Sequence, residues 1–338
     1  MKRMFFVVLS LALVATACGD DDSGATTTGA PTTTAAPTTQ APTTTAAPTT
    51  EAPTTTAAEG VTVTGDDGVE VTITDTSTIV SLSGDLTEIL FALGFGDRVV
   101  AVDVTTTFPP EAADIPVIGF GQQLAPEPVL GMRPSLVLAN ELTGPPEAIE
   151  QIRGAGIPVL VIAGGASLDD PARKIRLIGE VMGAPDAAEA LATEVDADIQ
   201  AALDVAAQAE ATPNAVFVYS RGPELLLVFG TGTATNAMLT GAGAVDVGAE
   251  AVHGAAPLSA ELMAAMQPDV IVLPLSGYHA LGGSEAFLQV PGVAQTPAGE
   301  NENFLAYDEA YFFNLGPRTG EALMEFVLDL YPELDPNG

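Results

Sequence analysis

A chain of 338 residues with 44 acidic and only 10 basic side chains carries a formal charge of −34. That balance excludes a nucleic-acid-binding surface, which needs clustered Lys and Arg to displace counterions. One cysteine and two well-separated histidines, Cys18, His253 and His279, exclude a disulfide framework and a zinc cluster.

Lys2 and Arg3 precede an apolar run over residues 4–17, too short to span a bilayer and of the form of a signal peptide (residues 1–17). Ala15, Thr16 and Ala17 before Cys18 have the pattern of a bacterial lipobox, with Cys18 lipidated as the mature N-terminus. Residues 18–59 repeat Thr, Ala and Pro with almost no large apolar side chain, so they predict a disordered tether. Roughly 280 residues remain, enough for two lobes with cores of their own.

Val61–Thr64 and residues 69–73 flank Gly65 and Gly68 and predict a hairpin. Residues 79–82 read as a buried strand. Asp85 with Glu88 reads as a capping box for a helix over 86–93. Strands at 98–102, 136–138 and 157–162 then alternate with helices near 146–155 and 171–182, the rhythm of a parallel β/α layer. Residues 60–184 thus form an expected N-terminal lobe. Residues 185–210 carry Ala, Leu, Val and Ile at helical spacing, with no Gly or Pro after Pro185. They predict a linking helix of about 25 residues, roughly 37 Å long. The C-terminal lobe, 211–338, opens with a strand pair at 215–219 and 225–229 and closes with a helix over 319–330.

One short stretch occurs twice. Leu124, Ala125, Pro126 and Glu127 lead to Met132, Pro134 and an apolar strand; Leu258, Ser259, Ala260 and Glu261 lead to Met266, Pro268 and another. Glu127 and Glu261 stand 134 residues apart, as do both Met and both Pro. This spacing is too wide for a solenoid and indicates two similar lobes.

The order of these motifs, with the segment from Ile79 to Asp103, resembles the helical-backbone class of ABC-transporter substrate-binding proteins, which carry haem, ferric siderophores or cobalamin. Gly144-Pro145-Pro146, Pro257 to Glu261, Pro291 to Gly299 and Gly316 to Thr319 are most similar to the haemin-binding branch. The resemblance covers residues 78–333 and implies an α/β fold of two parallel-sheet lobes joined by one long helix, with the ligand cleft between them. It implies a lipid-anchored monomer on the extracytoplasmic face of the cell membrane, serving a permease dimer and having no enzymatic activity. Glu127 and Glu261 match the exposed acidic residues, one per lobe, that dock on permease arginines. Tyr219 and Arg221 match a second-lobe pair in which Tyr coordinates haem iron and Arg supports the phenolate.

In the first lobe, many haem-binding members carry a Tyr seven residues before the Glu; here that position is Phe120, which can stack on a porphyrin but cannot ligate iron. The resemblance implies haemin as the transported ligand, bound by Phe120, Tyr219 and Arg221; the departure at Phe120 keeps ferric siderophore and cobalamin as alternatives. Tyr278 and His279 are the next candidate iron ligands. An enzyme finds little support. The glycine pairs lack the remainder of a dinucleotide fingerprint, and no nucleophile elbow or phosphate loop occurs. A surface lipoprotein would explain the tether but not the paired glutamates.

Overall fold

The computed structural model describes residues 60–335. The signal peptide, Cys18 and the tether lie outside the described residues.

The chain enters through an antiparallel hairpin, β1 (Val61–Thr64) and β2 (Glu70–Ile73), with Val61 opposite Ile73. Asp67 and Asp66 at its turn pair with Arg153 and Arg173 of the first lobe at 2.7 and 3.1 Å. Four strands follow, β3 (Ile79–Ser81), β4 (Val99–Val102), β5 (Leu136–Ala139) and β6 (Val159–Val161), in the order β4-β3-β5-β6, all parallel. They are short and apolar on both faces, as a sheet covered by helices on each side requires.

The second sheet comprises β7 (Asn214–Ser220), β8 (Leu226–Phe229), β9 (Val245–Asp246), β10 (Ala255–Pro257), β11 (Val270–Pro274) and β12 (Phe304–Tyr307). Its order is β10-β8-β7-β11-β12, with β9 beside the start of β7. The parallel core β7-β11-β12 matches expectation, but β8 runs antiparallel to β7, and β10 antiparallel to β8. A tight turn at residues 221–225 folds β8 straight back on β7, leaving no crossover that could make it parallel.

The repeat extends to the backbone. Pro126–Met132 and Ala260–Met266 are both seven-residue helices, each ended by a left-handed residue, Arg133 (φ 50°) and Gln267 (φ 46°). Each then feeds an interior strand, β5 or β11.

The long helix runs Pro185–Ala206, four residues shorter than the pattern to Glu210 suggested. It packs against helix Asp170–Met182 of the first lobe and helix Thr319–Leu330 of the second. Ala188, Ala192, Val195, Ile199, Ala202 and Ala206 form its buried stripe. Small side chains let the helices approach closely: a Cβ on Gly179 would stand 2.0 Å from that of Ala188. One apolar core consequently runs from Ile79 and Leu86 through Val195 and Ile199 to Phe217 and Phe326. The outer face of each sheet has a separate core.

Asp85 and Glu88 are not a capping box. Both lie on helix Gly84–Ala92, whose N-cap Ser83 makes no side-chain cap and instead donates to the Asp85 carboxylate. Asp85 meets Lys174 Nζ at 2.5 Å with both groups buried, and Lys174 also donates to the carbonyls of Gly164 and Asn314 at 2.9 Å. Glu88 takes a bidentate pair from Arg318 at 2.9 and 3.0 Å. Asn314 and Arg318 belong to the second lobe, so this helix ties the lobes together.

Candidate ligand-binding cleft

Segments that follow the C-terminal ends of parallel strands in the two sheets meet where Arg221 approaches Phe120, and such strand ends are where open α/β sheets bind ligands. From the first lobe comes the loop after β4, carrying Phe120. Gly119 (φ 122°) turns the chain there, and its carbonyl accepts from Val104 N at 2.9 Å. Gly121 N donates to Asp103 Oδ2 at 3.3 Å, and Gly144 N to the Gly121 carbonyl at 2.9 Å. Asp103 is buried and also accepts from Thr105 N and Oγ1 at 3.1 and 2.6 Å. Burial raises its carboxyl pKa against the pull of those bonds.

From the second lobe come Tyr219, near the end of β7, and Arg221 just beyond it. Arg221 Nε donates to the Tyr219 phenol oxygen at 2.5 Å. The guanidinium carbon lies 5.9 Å from the centre of the Tyr219 ring and 5.1 Å from that of Phe120. The structure thus brings all three expected ligand-binding residues together, two from one lobe and one from the other. Phe229 of β8 stacks on Tyr219 at 5.7 Å and is braced by the edge of Phe217 at 5.3 Å. Among the described residues Arg221, like Arg98 and Arg133, forms no ion pair, whereas Arg153, Arg173, Lys174, Arg176 and Arg318 all do.

A second contact crosses between the lobes. Arg318 lies 3.6 Å from the ring centre of Phe108 and 5.0 Å from that of Tyr311, beside a cavity of about 320 Å³ lined also by Thr107 and Asp308. Burial raises the Glu88 carboxyl despite Arg318, and burial likewise raises the Tyr311 phenol. Sequence reading missed this cluster, although Arg318 stands in the quoted Gly316 to Thr319 motif. Val104, Leu142, Leu225 and Leu275, all at strand ends, are exposed apolar side chains.

Other candidates fall elsewhere. His253 is exposed, with Nδ1 3.1 Å from Thr231 Oγ1; His279 is exposed on helix Leu275–Leu281 beside Tyr278, their ring centres 6.3 Å apart. Among the described residues neither contacts Tyr219, and no cluster of three or more His, Cys, Asp or Glu is placed to hold a metal ion. Glu127 and Glu261 are exposed in the first turns of the two repeat helices.

Two β/α lobes with parallel sheets, joined by one long helix, have the architecture of a solute-binding protein. The chain belongs to the periplasmic binding protein family, whose model matches residues 79–311. It is 29% identical, over 75% of this chain and 80% of the relative, to YvrC, an uncharacterised ABC transporter substrate-binding lipoprotein of Bacillus subtilis. It is 25% identical to the vitamin B12-binding protein of Pectobacterium atrosepticum, over 58% and 70% of the two chains. Among solved structures, the apo periplasmic heme-binding protein RhuT of Roseiflexus sp. RS-1 superposes with a TM-score of 0.74 at 40% identity, over 77% of this chain and all of that one. The protein is accordingly an ABC transporter substrate-binding protein of the haem and B12 type, from a family of binding proteins rather than enzymes. Among the described residues no helix is long and apolar enough to cross a membrane.

Proposed function

We propose that the protein captures haemin outside the cell, as a monomer held to the membrane by a lipid on Cys18, and delivers it to a permease dimer. The observation that carries the ligand assignment is the Tyr219–Arg221 pair facing Phe120 across the cleft. A phenol oxygen is a hard donor suited to ferric iron. A guanidinium against that oxygen stabilises the negative charge it acquires on coordination. Haemin in water carries hydroxide on its iron. When the phenol oxygen takes that place, its proton leaves with the hydroxide as water, and Arg221 faces the new phenolate. Apolar side chains at the strand ends suit the macrocycle, and an unpaired Arg221 suits a ligand of small negative charge better than a highly anionic ferric siderophore.

Glu127 and Glu261 are assigned to docking. Each is an exposed carboxylate without an ion pair among the described residues, presented by equivalent helices of the two lobes. One per lobe can set the register on a two-subunit permease.

A corrinoid is the second reading, favoured by the likeness to a vitamin B12-binding protein. Titration with haemin and with cobalamin separates the two. Haemin uptake should give a high-spin ferric spectrum with a phenolate charge-transfer band that Tyr219→Phe abolishes, and Arg221→Ala should weaken binding by about 10- to 100-fold, as loss of an outer-shell partner does. Cobalamin uptake without haemin uptake, followed by tyrosine emission in a chain lacking Trp, would replace the haem assignment.

A further inference from the structure

Phe120 and Arg221 differ in how firmly they are held. The peptides on both sides of Phe120 are tied to the first lobe through Val104, Asp103 and Gly144, so its ring is delivered to a fixed place. Arg221 is exposed, has no carboxylate partner, and is held by the Tyr219 oxygen and the two aromatic rings. This one guanidinium covers both the donor oxygen and the face of Phe120, the surfaces a tetrapyrrole would use.

We propose that Phe120 is a capture and specificity residue. It stores the Arg221 guanidinium, surrenders the same face to an entering macrocycle, and keeps the iron without a protein ligand on that side. This rests on the haemin reading above. A flat macrocycle bonded to the phenol oxygen on one side needs roughly 3.5–4 Å, one carbon contact distance, to the Phe120 ring on the other. The guanidinium must therefore leave the Phe120 face before the plane can enter. It can do so while its Nε keeps the phenol oxygen, because only the stacked end has to swing. Phe120 then contacts the porphyrin as Arg221 did not, by carbon against carbon. Its ring has no lone pair, so the axial position beneath it stays open to a small exogenous ligand.

The test uses the full chain, haemin, and two substitutions at one position. Phe120→Leu keeps apolar bulk but loses the cation–π contact, and should speed haemin association about two- to fivefold, the scale of an exposed contact of this kind, while leaving the high-spin spectrum in place. Phe120→His puts an imidazole where the ring was, and should turn the bound iron six-coordinate and low-spin with no added ligand. Imidazole added to the wild-type complex should produce the same kind of shift without releasing haemin. Wild-type haemin that is already low-spin, or a Phe120→His complex with the wild-type spectrum, overturns the axial assignment. A Phe120→Leu association rate equal to or below wild type overturns the storage role. Failure of the wild type to take up haemin sinks the ligand reading and this proposal together; haemin uptake with unaltered variants sinks this proposal alone.

Discussion

Two Arg–Phe contacts join the lobes, and they are opposites. Arg318 lies over Phe108 at 3.6 Å with both ends of its fork on Glu88, and its side chain is 22% exposed. Arg221 lies over Phe120 at 5.1 Å, is exposed, and touches only a phenol oxygen and rings. The same two residue types make a rivet in one place and a movable latch in the other. What differs is a carboxylate. Glu88 satisfies the first guanidinium and confines it, whereas the second keeps a charge that no protein group neutralises.

The largest expected effect tests the rivet. Arg318→Ala leaves a buried glutamate without its cation and should cost about 3–5 kcal/mol, a fall in Tm of roughly 6–20 °C at this chain length. Arg221→Ala should stay within about 0.5 kcal/mol of wild type, as exposed substitutions usually do. Equal losses in thermal melts would erase the distinction between the two contacts.

Glu127 and Glu261 extend the comparison, because they too are charges without partners. The double alanine variant should lower transport about tenfold or more, with haemin affinity unchanged and stability within about 0.5 kcal/mol of wild type. Normal uptake by cells carrying it would remove the docking assignment. A smaller effect is expected in lobe motion. With the rivet, the bond from Lys174 to the Asn314 carbonyl and a shared core all spanning the lobes, haemin should change the scattering profile only slightly. A large rotation on binding would contradict this.

The smallest effect concerns pH. Burial raises the Glu88 carboxyl above its ordinary 4.5. A carboxyl with a raised folded-state pKa contributes stability that is full below the unfolded value and is lost as pH rises through the folded one. The stability of wild type relative to Glu88→Gln, which cannot titrate there, should therefore be greater near pH 4 than near pH 7. Denaturant unfolding at the two pH values measures it, and a difference of the opposite sign would mean that Arg318 outweighs burial.

Much of this architecture was legible in the chain, and the exceptions share a cause. The duplicated helices were visible because identical residues recur at one offset, and helix Thr319–Leu330 because its apolar side chains keep one period. Tyr219 and Arg221 could be paired because, at a strand end, they resemble the family's Tyr and Arg two residues apart. Asp85 and Glu88 misled because their spacing is that of a cap, while their real partners are Lys174 and Arg318, 89 and 230 residues away. Spacing carries no information about such pairs. The two-residue strand β9 and the edge strand β10 were equally silent, since neither is long enough to show a period.

An unpaired Arg221 inside a chain of formal charge −34 also shapes how a ligand arrives. Beyond a Debye length, about 10 Å at 0.1 M salt, an anionic porphyrin meets only the repulsion of the whole body; inside the cleft it meets one bare cation. Salt weakens the outer barrier first, because the cleft is the less screened of the two. Haemin association measured by stopped flow should therefore quicken as ionic strength rises from about 0.01 to 0.1 M, the reverse of ordinary electrostatic steering. On this account brine would hasten capture, and fresh water would slow it.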